Sequence, residues 1–193
     1  DVFDIEVDAN DIDLFVNTVK AIAPTFGGIN LEDIKSPEAF EIERRLKSEL
    51  EIPIMHDDQH GTAIITSAAL LNALELAGKK IEDVKVVVSG AGAAAISCVN
   101  LYCTLGVNPK NILMLDSKGV ISTSRNDLDE IKSKYAVDTD CTTLKDSMVD
   151  ADVFLGLSIG NIVSKEMLKS MASDPIVFAC ANPDPEIAYE VAI

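Results

Sequence analysis

The run from Val84 to Leu105 constrains this chain more than any other stretch. Val84, Val86, Val87 and Val88 form a β-branched strand ending at Ser89. Gly90-Ala91-Gly92-Ala93-Ala94-Ala95 then opens a helix of small residues that stops at Gly106. A strand that turns straight into a helix crosses over and pairs in parallel with its next strand. Gly90 permits the tight turn, Gly92 lets backbone amides approach a pyrophosphate, and Ala95 in the third place is small enough for close helix-on-strand packing. The helix N-terminus adds positive potential for phosphates. Asp116 ends the next strand and is placed to accept from a ribose hydroxyl. A helix packed tightly on a sheet without a ligand is the plainer alternative for the same glycines. Asp116 favours NAD, whereas Ser117, Lys118 and Arg125 just beyond it could meet the 2′-phosphate of NADP.

The same rhythm continues to the end of the chain. Ile112–Leu115, Val153–Leu157 and Ile176–Ala179 form short apolar strands; Asn126–Tyr135, Thr142–Val149 and Ser164–Met171 form helices between them. Strands alternating with helices predict an α/β fold, an open doubly wound and mostly parallel sheet with helices on both faces. Before it, Ile12, Phe15, Val16, Val19 and Ile22 give a helical period over Asp11–Ala23, which Pro24 ends. A short strand over Gly27–Leu31 leads to Glu32 and Asp33. Ser36 and Pro37 start a helix to about Leu50, serine as N-cap. Ile52–Met55 is a strand, and Thr62–Leu76 an apolar helix stopped by Gly78. The predicted domains are residues 1–60 and 61–193.

His56-Asp57-Asp58-Gln59-His60-Gly61-Thr62 puts two adjacent carboxylates where the strand gives way to that helix. With Glu32 and Asp33 they supply hard oxygen ligands of the kind that suit Mg²⁺ or Mn²⁺ and leave places for substrate and water. As ordinary loop acids and a helix cap, the same four need no metal. His56 and His60 have the i, i+4 spacing of a zinc pair, but the strand–helix junction breaks the helical register, and local hydrogen bonding is the expected role. A net charge of −16 argues against nucleic acid and anionic membrane as partners. No apolar run reaches membrane-spanning length. Cys98, Cys103, Cys141 and Cys180 lack a C-x-x-C spacing and are expected as buried thiols of a cytoplasmic protein. The chain begins at Asp1 without methionine and stops abruptly at Ile193, as a piece of a longer protein would.

Phe26-Gly27-Gly28-Ile29-Asn30-Leu31-Glu32-Asp33, Phe40-Glu41-Ile42-Glu43, His56 to Thr62, Gly90 to Ala95 and Ala181-Asn182-Pro183-Asp184-Pro185-Glu186-Ile187 together resemble malic enzyme, over essentially the whole chain. The likeness is to the bacterial-type enzymes. Asp4-Ile5-Glu6-Val7-Asp8 and Val88 to Ala95 resemble the long, hybrid NADP-dependent form with a phosphate-acetyltransferase-like C-terminal region. The resemblance implies the tail of an N-terminal malic-enzyme domain followed by a Rossmann-type NAD(P)-binding domain, in a homo-oligomer. It implies oxidative decarboxylation of L-malate to pyruvate and CO₂ with Mg²⁺ or Mn²⁺ and NADP or NAD, NADP being favoured. Glu32, Asp33 and Asp58 become the metal ligands, with Asp57 beside them as a catalytic residue. Gly90, Gly92 and Ala95 become the cofactor turn, Asp116 the ribose contact, and Ser158 a neighbour of the cofactor. Asn182 approaches both nicotinamide and substrate. The family's catalytic tyrosine and lysine belong upstream, so this chain alone is expected to be inactive. A metal-free hydroxy-acid dehydrogenase and a non-catalytic nucleotide-binding or assembly module are the competing expectations.

Overall fold

The computed structural model describes every residue except Ala9 and Ser36. The chain divides into two units, Asp1–Gly61 and Thr62–Ile193. The first contains α1 (Ile12–Ile22), β1 (Ile29–Leu31), α2 (Glu38–Glu49), β2 (Ile54–His56) and the start of α3 (Asp57–Ala77). The Asp11 carboxylate caps α1 by accepting from the Leu14 amide at 3.0 Å. Phe15, Val16 and Val19 of α1 pack with Ala39, Ile42 and Leu46 of α2 over Leu31 and Ile54. The two strands run parallel, Ile29 opposite Ile54 and Leu31 opposite His56. Parallel neighbours need a crossover, and α2 provides it. Ser36, the expected cap of α2, lies outside the described residues.

The second unit is built on β3 (Val86–Ser89), α4 (Ala93–Leu105), β4 (Ile112–Asp116), β5 (Gly119–Val120), α5 (Leu144–Met148), β6 (Val153–Gly156), α6 (Lys165–Lys169), β7 (Ile176–Ala179) and α7 (Tyr189–Ala192). The sheet order is β5-β4-β3-β6-β7. β3 is parallel to both β4 and β6, and β6 to β7. Val86, Val87, Val88, Val153, Phe154 and Leu155 are fully buried. Alternate residues serve opposite faces. Val86 and Val88 join Leu70 and Leu74 of α3 and Val99 and Tyr102 of α4. Val87 and Phe154 join Met148, Val163 and Met171 on the other face. The fold is thus α/β and doubly wound, with helices on both faces.

Three local expectations change, and one strand is added. α3 starts at Asp57 rather than Thr62, since β2 passes directly into it. Asn126–Tyr135 contains only a 3₁₀ turn, Lys132–Tyr135. The Asp129 carboxylate caps the start of that turn, accepting from the Ile131 and Lys132 amides at 2.9 and 2.8 Å. β5 adds an antiparallel edge, Asp116 opposite Gly119. Of the cysteines only Cys98 is buried; Cys180, just past β7, is exposed.

Phe154→Ala should lower the stability of the second unit by about 3–5 kcal/mol in urea unfolding, the range for truncating a fully buried phenylalanine. Leu76→Ala, at a side chain 90% exposed, should change it by less than about 0.5 kcal/mol.

Candidate active site

The sheet's strand order creates the site. The chain leaves β3 through α4 to β4 on one side, and later returns to β6 on the other. Such a reversal opens a crevice at the carboxyl ends of the strands, where ligands bind in open α/β sheets. At that edge the chain turns at Gly90, whose φ is 124° and whose amide donates to the Leu115 carbonyl at 2.9 Å. A Cβ on Gly90 would lie 2.5 Å from the Leu157 carbonyl oxygen. Backbone conformation and space both require glycine there.

Gly92 differs. Its φ of −86° suits any residue, and a Cβ built on it would meet nothing within 4 Å. Packing within the chain does not ask for glycine at 92; the cradle it leaves open is what a close-lying pyrophosphate would fill. The amides of the first turn of α4 have no intrahelical acceptor, and no side chain caps them, which leaves them free to meet an anion. Ala95 is 1% exposed and packs in the core beneath β3. Ser158 follows β6 and shares a hydrogen bond with Ser89 at 2.9 Å between hydroxyl oxygens. Asn182 follows β7 and is exposed. The cofactor residues expected from the sequence therefore stand at the ends of β3, β4, β6 and β7.

Asp116 has a different surrounding from the one expected. Its Oδ1 accepts from Arg125 Nη1 at 2.8 Å and from the Lys118 amide at 2.9 Å; its Oδ2 accepts from Lys132 Nζ at 3.0 Å and from Arg125 Nη2 at 3.2 Å. Burial alone would raise its pKa. The bonds from Arg125, Lys132 and the Lys118 amide outweigh that and hold the carboxyl at about 2. Arg125 also reaches Asp127, at 2.9 Å from Nε. A carboxylate with both oxygens committed to cations is a poor free acceptor for a ribose hydroxyl. Lys132 was not singled out by the sequence; it is delivered by the 3₁₀ turn that replaces the expected helix.

The acidic pairs lie in the first unit. Leu31 and His56 form the last register pair of β1 and β2. Glu32 and Asp57 come next after the two strands, so both pairs emerge at the same end of one two-stranded sheet. Asp33 holds φ 53°, a left-handed conformation that aspartate tolerates. Glu32 accepts from Asn30 Nδ2 at 2.9 Å. Glu32, Asp33 and Asp58 are exposed. Asp57 and Asp58 sit in the first turn of α3, not in a loop. The Asp57 carboxylate folds back over Gly61, where a Cβ would lie 2.1 Å from its Oδ1. Among the described residues, no three His, Cys, Asp or Glu side chains already converge as a metal cluster. The donors are hard oxygens at one strand end, which suits Mg²⁺ or Mn²⁺ in kind. His60 bonds Glu43 at 2.8 Å, as expected of a structural histidine. His56 does not: it is buried, and neither ring nitrogen has a partner among the described residues. Glu186, also unforeseen, is completely buried at the edge between β6 and β7. The glycine at 156 in a buried strand was its one available signal.

Residues 59–191 match the family model described as malic enzyme, NAD binding domain, and residues 4–47 match malic enzyme, N-terminal domain. An NAD-dependent malic enzyme of Rhizobium meliloti is 56% identical over the whole chain, which covers 25% of that relative. An NADP-dependent malic enzyme of Halomonas elongata is 53% identical over 98% of the chain, which covers 45% of it. The crystal structure of Entamoeba histolytica malic enzyme superposes with a TM-score of 0.91 at 40% identity, over 97% of this chain and 42% of that one. The chain thus spans between a quarter and half of these proteins.

The Asp116 network makes a pH-dependent contribution with a definite sign. A folded-state pKa of about 2 lies below the ordinary carboxylate value, so the stabilisation is complete above about pH 4 and disappears as the pH falls through about 2. Asp116→Asn should lose on the order of 2 kcal/mol at neutral pH. It should also show a shallower fall in stability between about pH 4 and 2 by denaturant titration. Parallel pH profiles would contradict this.

Proposed function

The chain belongs to the malic enzyme family, and on that premise we propose that the complete protein oxidises and decarboxylates L-malate to pyruvate and CO₂ while reducing a nicotinamide dinucleotide. The observation that carries the proposal is the cradle at Gly92, open on a sheet edge where the chain itself has no use for the space. The amides that open α4 would receive the pyrophosphate, Gly90 would hold the turn, and Ala95 would keep α4 close to the sheet. Ser158 and Asn182 would stand beside the nicotinamide end, Asn182 also meeting substrate.

Glu32, Asp33 and Asp58 would hold the divalent cation. When bound, the cation supplies Lewis-acid polarisation and the dinucleotide accepts hydride. Asp57, held over Gly61, would sit beside the substrate hydroxyl and carboxylate and exchange a proton there. The general base for the hydroxyl would come from outside these 193 residues, so the chain alone would bind nucleotide without turning over malate.

The surroundings of Asp116 support NADP over NAD. Its carboxylate is committed to Arg125, Lys132 and the Lys118 amide, which leaves a ribose hydroxyl no free acceptor there. Arg125 donates to both Asp116 and Asp127 and would turn donors from Asp127 to a 2′-phosphate, which its planar fork suits.

In steady-state assays of the complete protein, Arg125→Ala should lower kcat/KM for NADP⁺ about tenfold or more while leaving NAD⁺ within about threefold; equal losses for both would remove the NADP assignment. Asp58→Asn should abolish saturable Mn²⁺ binding by calorimetry and reduce malate oxidation by at least about 10²-fold. Activity without added metal that survives Asp58→Asn would point to a metal-free dehydrogenase instead.

A further inference from the structure

Glu186 lies in the Pro-rich segment after β7 and is 0% exposed. Its Oε1 accepts from the Ser158 amide and its Oε2 from the Ala181 amide, each at 3.0 Å. Ser158 is two residues past the end of β6, and Ala181 two past the end of β7. Those strands finish in register, Gly156 opposite Ala179. One carboxylate therefore joins the loops leaving two adjacent strands. The same segment is tied again through its backbone. The Val163 amide donates to the Glu186 carbonyl and the Asn161 amide to the Pro185 carbonyl, both at 2.9 Å.

Gly156 makes the arrangement possible. A Cβ on it would fall 2.2 Å from Glu186 Cδ and 2.4 Å from Oε2, so the carboxyl group occupies the room a strand side chain would need. No cation neutralises Glu186 among the described residues; two backbone amides do the work of solvating it. A buried carboxylate is an expensive way to close a loop that a neutral side chain could close. What it offers beyond that is two equal, strongly directional acceptors with a fixed separation.

We propose that Glu186 is a positioning residue for the nicotinamide half of the dinucleotide, fixing the spacing of the loops that carry Ser158 and Asn182. This rests on the nucleotide reading of the Gly90–Gly92 turn given above. The adenosine-phosphate half is received elsewhere along the edge, at α4 and the end of β4, which Glu186 does not touch. Loss of the clamp should therefore separate the two halves of the ligand.

E186Q keeps the shape and one acceptor but turns an NH₂ group toward a backbone amide, leaving donor facing donor. In the complete protein, the affinity of E186Q for 2′,5′-ADP should stay within about twofold of wild type, while its NADPH affinity falls about tenfold. The change in nicotinamide emission on binding should shrink with it. G156A, which drives a methyl group into the same carboxylate from the strand side, should produce the same split and stands in if E186Q does not fold. A folded E186Q with wild-type NADPH affinity overturns the proposal. So do equal losses for both ligands, or the unfolding of both variants, since each would make the residue merely structural. A wild type that binds neither NADPH nor NADH overturns the nucleotide reading together with this one; one that binds NADH alone overturns the NADP preference, and the split is then read with ADP and NADH. A wild type that binds NADPH with the expected split in its variants, but does not oxidise malate, supports the clamp and overturns only the malate assignment.

Discussion

Because β3 is buried on both faces and paired in parallel on both edges, the chain has to leave it through one crossover and come back beside it through another. Each crossover must lay helices on a sheet face, and the two lie on opposite faces because the chain reverses direction across the sheet. The crevice at the carboxyl edge is then not an added feature. It is the gap left where the two halves of the sheet part company at β3 and β6. The turn at Gly90, the open position at Gly92, the Ser89–Ser158 bond and the Glu186 clamp all occupy that one edge.

Charge is distributed with the same economy. In a chain of net charge −16, Lys118, Arg125 and Lys132 gather around the end of β4, held there by Asp116 and Asp127. Two of the many acids thus hold three cations together at the end of β4. Asp116 is the base on which Arg125 and Lys132 are mounted, accepting from both. Most of its bonds are charge-assisted and its solvent exposure is low, so the assembly keeps its geometry in salt better than exposed pairs would.

What the sequence revealed was what the backbone demands. β-branched runs mark β3 and β6, and a glycine pair marks the turn, because only certain residues tolerate those conformations. The sequence places the start of α3 five residues late, at Thr62, because β2 runs into the helix with no turn between them; Gly61 is the space into which Asp57 folds. Asn126–Tyr135 has helical composition and a capping Asp129, yet it closes only a 3₁₀ turn over Lys132–Tyr135. β5 is two residues long, too short for any period to show. Glu186 was hidden for another reason: an acid in a Pro-rich segment looks solvated, and the partner that reveals its burial, Gly156, is far away in the chain. The acidic pairs were legible as a group because they end neighbouring strands, yet their side chains do not already form a closed cluster.

The edge strand β5 also bears on how this sheet meets other chains. The amide of Val120 donates to the Thr142 carbonyl at 3.1 Å, and a side chain at Gly119 would strike that carbonyl oxygen. The β4 side of the sheet is therefore sealed by its own loop, after an antiparallel strand only two residues long. Any further strand, whether from the same polypeptide or a neighbouring molecule, has the β7 side as its place of addition. Growth of the sheet is in this sense polar: one margin is closed by design, and the other decides whether the fold is extended, partnered or driven into aggregation.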